Sequence, residues 1–244
     1  MRFQGAILVP LCLAFSAWSQ ITYTLPVIDS SDRGSPVAIS GTATFMEVFG
    51  PKSVASSGSF RLEGRNLSDK SILLLLAYFD EAGPNGREVR HVIRVDHFFW
   101  GEIAPGASFV LAHGRSRRQT SGVRRDSLGP AADPKAEITV QYVQFADGSS
   151  FGSETEASDA FRLRTVIFHA LQRLDAARSQ AEFRALLAKK IEPDDADDFL
   201  RTFRRTQMIH GNKAARAQVH TCLVVAEGRA PTLPTARPVQ IVQK

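Results

Sequence analysis

The chain is poor in cysteine: Cys12 and Cys222 are the only two in 244 residues. Cys12 lies in an N-terminal stretch that reads as removable, which leaves Cys222 alone and excludes an intrachain disulfide framework. Stability must then come from packing. Long apolar runs are also missing. The most apolar internal run, Ile72 to Phe79, is eight residues long, whereas a membrane-spanning helix needs about 20, so no transmembrane segment is expected in the mature chain. Specific chemical fingerprints are absent as well: no nucleophile elbow, zinc-protease helix, Cys-x-x-Cys pair or dinucleotide loop occurs. Neither a glycine-rich phosphate cradle nor a nucleic-acid-binding module can be read, so no cofactor and no nucleic-acid partner are assigned. Charge is nearly balanced at Lys+Arg 30 against Asp+Glu 25, which excludes partner arguments based on bulk charge.

What is present begins with an export signal. Arg2 followed by an apolar stretch from Ala6 to Trp18 has the layout of a signal peptide, and Ala17 and Ser19 suit a cut before Gln20. Residues 1–19 are therefore read as a signal, the mature chain as secreted or periplasmic, and residues 20–36 as a linker or lead-in strand. From residue 37 to 152 strand signals recur. Phe60, Leu62 and Gly64 share one face with Arg61 and Glu63 opposite, and Ile72 to Tyr78 reads as a central strand. Asn85-Gly86 marks a hairpin turn. Val89, His91, Ile93 and Val95 alternate against Arg90, Val92, Arg94 and Asp96; later Ile138, Val140, Tyr142 and Gln144 alternate against Val143 and Phe145. Gly50 to Ser59 reads as a break, and His113 to Lys135 as a basic loop. Short strands at regular turn spacing predict a sandwich.

After Gly152 the period changes. Leu163, Val166, Ile167, Ala170, Leu171, Leu174 and Ala177 recur at helical spacing, with Ser158 or Asp159 as candidate caps. A second helix is predicted over Gln180 to Lys190, and Phe199, Leu200, Phe203, Met208 and Ile209 make the next apolar set, which ends at the Gly211-Asn212 break. Ala214 to Val225 reads as another helix or a returning strand. Residues 153–227 are thus a helical region, and 228–244, rich in Pro, Thr and Arg, an extended or mobile tail.

Gly64-Arg65-Asn66-Leu67-Ser68, the run ending Ala77-Tyr78-Phe79-Asp80, and Ile103-Ala104-Pro105-Gly106 together resemble the small immunoglobulin-like domains of secreted bacterial proteins that carry a Phe-x-Leu-Tyr-Asp signature. The resemblance implies that Asn66 and Ser68 shape a turn between strands and that Pro105-Gly106 turns the chain before a late strand. It departs from the full signature and covers roughly a fifth of the chain. The expected fold is mainly β with a helical C-terminal part: an immunoglobulin-like antiparallel β-sandwich followed by packed α-helices. The implied role is adhesive or accessory, a matter of analogy between folds.

Three sets of residues carry candidate chemistry. His91, Asp96, His97 and His113 are zinc-type donors and define the alternative function, an extracytoplasmic metal-dependent hydrolase. In one unbroken strand His91 and His97 stand roughly 20 Å apart, so that reading needs a bulge or a neighbouring strand. Phe98, Phe99 and Trp100 form an aromatic run suited to a core edge or, where exposed, to stacking on a partner. Arg115, Arg117, Arg118, Arg124 and Arg125 suit an anion or an acidic partner, the expected partner being an envelope protein or acidic polymer. Solvation of a flexible loop explains the same residues more simply. The preferred reading is a secreted, non-catalytic interaction or structural module of the cell envelope.

Overall fold

The computed structural model describes residues 19–50, 53–82, 88–121 and 133–229. They form a mixed β-sheet region followed by three C-terminal α-helices. The first sheet runs in the order β1 (Ser19–Pro26), β3 (Val37–Gly50), β4 (Ser53–Asn66), β7 (Ser108–Ser121), all antiparallel. In the second the order is β2 (Ile28–Asp29), β8 (Lys135–Phe145), β5 (Ile72–Ala82), β6 (Glu88–Asp96), with β9 (Ser150–Gly152) also on β8. β2 joins β8 in parallel, which makes this sheet mixed. The lead-in of residues 20–36 thus contributes to both sheets.

The two sheets face each other across one apolar core. Val37, Ile39, Phe45 and Leu62 from the first meet Leu75, Phe79, Ile138 and Val143 from the second. β3 alternates as a strand with one wet face should, Val37 and Ile39 buried beside exposed Ala38 and Ser40. β5 does not alternate, because Ile72 to Ala77 are all buried. Its second face is covered by helix: Leu74, Leu76 and Tyr142 pack against Ala157 and Ala160. Those two alanines have side chains small enough to let a helix approach the sheet closely.

Two features correct the sequence reading of the strands. A bulge between Leu76 and Ala77, opposite Tyr142 and Val140, leaves Gln141 as an extra residue in β8. The period-two face therefore flips: Ile138 and Val140 join Val143 and Phe145 in the inter-sheet core, while Tyr142 turns to the helices. Gly152 sits against this bulge with φ +85, where an added Cβ would lie 2.0 Å from the Gln141 carbonyl oxygen. The second correction concerns length. β3 and β4 pair from Val37–Asn66 to Gly50–Ser53, so the Gly/Ser stretch read as a break continues the ladder. Likewise β7 runs on through His113 to Ser121, paired with β4, where a basic loop was expected. Backbone hydrogen bonds form this extension, and apolar periodicity cannot report them.

Helix α1 (Glu154–Asp175) starts at Ser153, ahead of the Ser158 or Asp159 expected, with Glu154 and Glu156 at the positive end of its dipole. α2 (Gln180–Ala188) is capped by Ser179, whose hydroxyl accepts from the Glu182 N–H. α3 (Asp194–Arg229) is broken by Gly211, at φ 82 and ψ 173. The arms on either side fold back as a hairpin, since Thr206 and Gln218, twelve positions apart, hydrogen-bond at 2.7 Å, a separation of about 18 Å in a straight helix. The stretch from Ala214 to Val225 is accordingly helix. Leu163, Ile167, Leu171, Phe183, Leu200, Phe203, Val219 and Leu223 make the helical core. None of the described helices is long and apolar enough to cross a membrane. Residues 1–18 of the expected signal and 230–244 of the expected tail lie outside the described residues.

Candidate functional site

The histidines and aspartate of the metal reading are distributed rather than gathered. On β6, His91 turns toward the inter-sheet core, its Nε2 3.0 Å from Glu81 Oε1 and its ring against Phe60 and Phe79. Glu81 is 5% exposed, and among the described residues its Oε2 has no hydrogen-bond partner. Asp96 is on the opposite face of β6, as strand alternation requires. His97 follows the strand end, and its backbone N–H donates to the Leu73 carbonyl. Burial pulls the His97 pKa down, favouring the neutral ring. His113 is exposed on β7 of the first sheet, where Arg61 of β4 is its register partner, so it does not share a sheet with His91, Asp96 or His97. Among the described residues no group of three or more His, Cys, Asp or Glu side chains is placed to hold a metal ion.

Asp96 has a different partner, one that the sequence reading passed over. Arg164 of α1 is fully buried and donates to the Asp96 carboxylate from Nε (to Oδ2, 2.8 Å) and Nη2 (to Oδ1, 2.8 Å). Its Nη1 donates to Gln144 Oε1 at 2.5 Å, and its guanidinium lies 4.6 Å from the centre of the Phe98 ring. Asp96 Oδ1 also accepts the Phe98 backbone N–H at 3.0 Å. One cation thus ties β6, β8, the turn after β6 and α1 together at the seam between sheet and helices. A signal was there to find: Arg164 stands four residues after Ala160 and three before Ile167, on the buried stripe of α1.

The aromatic run is mostly interior, a core edge of which one ring stays partly exposed. Phe98 and Phe99 are buried within the helical core, and only Trp100 keeps 45% of its surface exposed. The turn from Asp96 to Trp100 carries these rings out of the sheet and into the bundle, where Trp100 packs on Phe199 and Phe203. Arg229, at the end of α3, donates from Nη1 to the carbonyls of His97 and Phe98 at 2.7 and 3.0 Å. The turn is thereby gripped from both sides.

Of the basic set, Arg115, Arg117 and Arg118 belong to β7, while Arg124 and Arg125 lie outside the described residues. Among the described residues β7 ends its sheet, pairing with β4 along one side. A sheet edge presents unpaired N–H and C=O groups over its length.

One cleft opens on the helix-facing side of the second sheet, about 510 Å³ in volume, between β5, β6, the start of α1 and the start of α3. Leu76, Val92 and Ala160 line it together with Tyr78, Arg94 and Glu156. The Tyr78 hydroxyl donates to the Glu156 carboxylate, and this bond raises the Tyr78 pKa. Arg94 Nη2 closes one end by pairing with Asp195 at 2.8 Å. Four polar groups of the cleft are thus engaged with each other in two pairs, Tyr78 with Glu156 and Arg94 with Asp195. Cys222 is buried, which pushes its thiol pKa up to about 11 and makes it a poor nucleophile. Asn66, which fits a glycosylation pattern in the sequence, is fully buried. Its Nδ2 donates to the carbonyls of Lys70, Ile103 and Ala104, and its Oδ1 accepts from Ser68. No family model, curated protein or solved structure matches the chain.

Proposed function

We propose that the chain is an exported, non-catalytic interaction module of the cell envelope, with an immunoglobulin-like β body that engages an acidic partner along β7. One observation carries this reading: β7 ends its sheet over 14 residues and bears Arg115, Arg117 and Arg118, with Arg124 and Arg125 following in sequence. An extended partner added to such an edge gains main-chain hydrogen bonds, and the arginines select for negative charge. Export is supported by the N-terminal pattern. β1 begins at Ser19, so a cut before Gln20 would leave all but its first residue in place.

The test uses polyglutamate as the acidic probe. Wild-type protein is expected to bind it with an affinity that falls as salt rises, and Arg117→Ser, Arg118→Ser, Arg124→Ser and Arg125→Ser together should weaken capture at least tenfold with an unchanged melting curve. Equal capture by wild type and variant at low and high salt removes the β7 reading.

A further inference from the structure

The hairpin of α3 has an unusual charge pattern. From Phe199 to Ala226 there is no aspartate or glutamate, while Arg201, Arg204, Arg205, Lys213 and Arg216 all fall within that span. Arg201 pairs with Asp198, and Arg204 with Asp197, both outside the span. Arg205 and Lys213, which flank the Gly211 bend, have no ion pair among the described residues and are exposed.

At the same bend stand Met208, 80% exposed, and Ile209, 56% exposed. They follow Arg205 by three and four residues, so all three lie on one face of the first arm. Beside the bend is a cleft of about 440 Å³ lined by Asp175, Gln180, Phe183, Lys213, Arg216 and His220. The acid of that cleft is already engaged: Asp175 Oδ1 is 3.2 Å from His220 Nδ1, and its carbonyl accepts from Arg216 Nη2. Lys213 remains, together with the positive end of the second arm, whose helical path restarts after Gly211.

From this arrangement we propose that the hairpin tip docks on an anionic phospholipid surface. Met208 and Ile209 enter the headgroup and acyl boundary, Arg205 and Lys213 meet the lipid phosphates, and the adjoining cleft receives one headgroup. The size of the apolar element favours lipid over protein as the occupant. Two exposed side chains at a bend fall far short of the roughly 1,600 Å² that a stable protein interface buries. A small apolar wedge ringed by unpaired cations, however, is how peripheral proteins gain purchase on anionic bilayers. This site lies on helices and is independent of the β7 reading.

The experiment is hydrogen exchange on the full chain with vesicles of phosphatidylglycerol, vesicles of phosphatidylcholine, or inorganic phosphate alone. Exchange reports the tip locally, so binding through any other segment does not imitate it. Slower exchange across residues 203–216 is expected with phosphatidylglycerol, weakening with salt, and none with phosphatidylcholine or phosphate. Met208→Ser with Ile209→Ser should lower vesicle affinity about tenfold, and Arg205→Gln with Lys213→Gln about fivefold per cation removed. The second pair decides the matter if the first alters folding. Equal protection on phosphatidylcholine, protection by phosphate alone, or unchanged affinity in the folded variants overturns the proposal. Substitutions in β7 should leave this protection intact, which keeps the two readings separable.

Discussion

The two sheets share a core yet bury themselves differently. In β3, Val37, Ile39, Ala43 and Phe45 are buried while Ala38, Ser40 and Thr42 between them are exposed. In β5 every residue from Ile72 to Ala77 is buried. The first sheet therefore has one dry face and the second has two, one against the other sheet and one against α1. The faces of the second sheet differ in turn. Its inner face is apolar and tolerant of small shifts, whereas its outer face is fastened by a buried charge pair that requires one geometry.

That difference can be broken most strongly at Arg164. Arg164→Ala leaves the Asp96 carboxylate with the Phe98 N–H as its remaining hydrogen bond of the seam, and a loss of about 3–5 kcal/mol in urea unfolding is expected. A change below about 1 kcal/mol, the range of an exposed pair, would show that the helices hold to the sheet without the seam. The bulge offers a sharper and smaller probe. Gly152→Ala forces a Cβ against the Gln141 carbonyl at a positive φ, expected to cost about 1–3 kcal/mol. Gly34→Ala, where a Cβ meets nothing within 4 Å, is the control and should be nearly neutral.

The smallest effect lies inside the helical layer. Hydrogen bonds from Arg204, aided by the Ile191 backbone N–H, lower the Asp197 pKa to about 2, below an unfolded value of about 3.9. A depressed carboxylate pKa stabilises the fold above the unfolded value and loses that contribution as pH falls through the folded one. The stability gap between wild type and Asp197→Asn should therefore be full at pH 5 and shrink steadily toward pH 2. A gap that is constant over this range would mean that the charge of Asp197 contributes nothing to folding.

The sequence showed most where apolar periodicity governs. β5, the α1 stripe and the break at Gly211 were legible because each rests on side-chain burial or on glycine's backbone freedom. Immunoglobulin-like detail was suggested by turn residues such as Asn66 and Gly106, which hold the β4–β5 turn to the Ile103–Ala107 loop through hydrogen bonds. β7 beyond His113 was misread because its partner is the Gly/Ser-rich half of β4, and a ladder made by backbone leaves no apolar trace. The parity flip at Gln141 was equally hidden, since one extra residue changes no composition. Asp96 was noticed for its chemistry but entered only the alternative metal reading, and its partner went unseen because Arg164 lies 68 residues away. For Phe98 and Phe99 the sequence left core edge and exposed stacking both open for the same reason: Phe199 and Phe203, which help to cover them, come a hundred residues later.

The grip of Arg229 on the His97 and Phe98 carbonyls spans 132 and 131 positions of sequence. Contacts of such range form late, because a long loop must close before they contribute. A chain emerging from its N-terminus can assemble the β ladders through Phe145 before this residue has appeared. Until the helices follow, Phe98 and Phe99 lack the residues that bury them, Phe199 and Phe203 among them, and form an exposed apolar pair on the β body. The last turn of α3 is therefore the final part of this clasp to be made, closing on a turn whose rings are packed by residues that precede it in the chain.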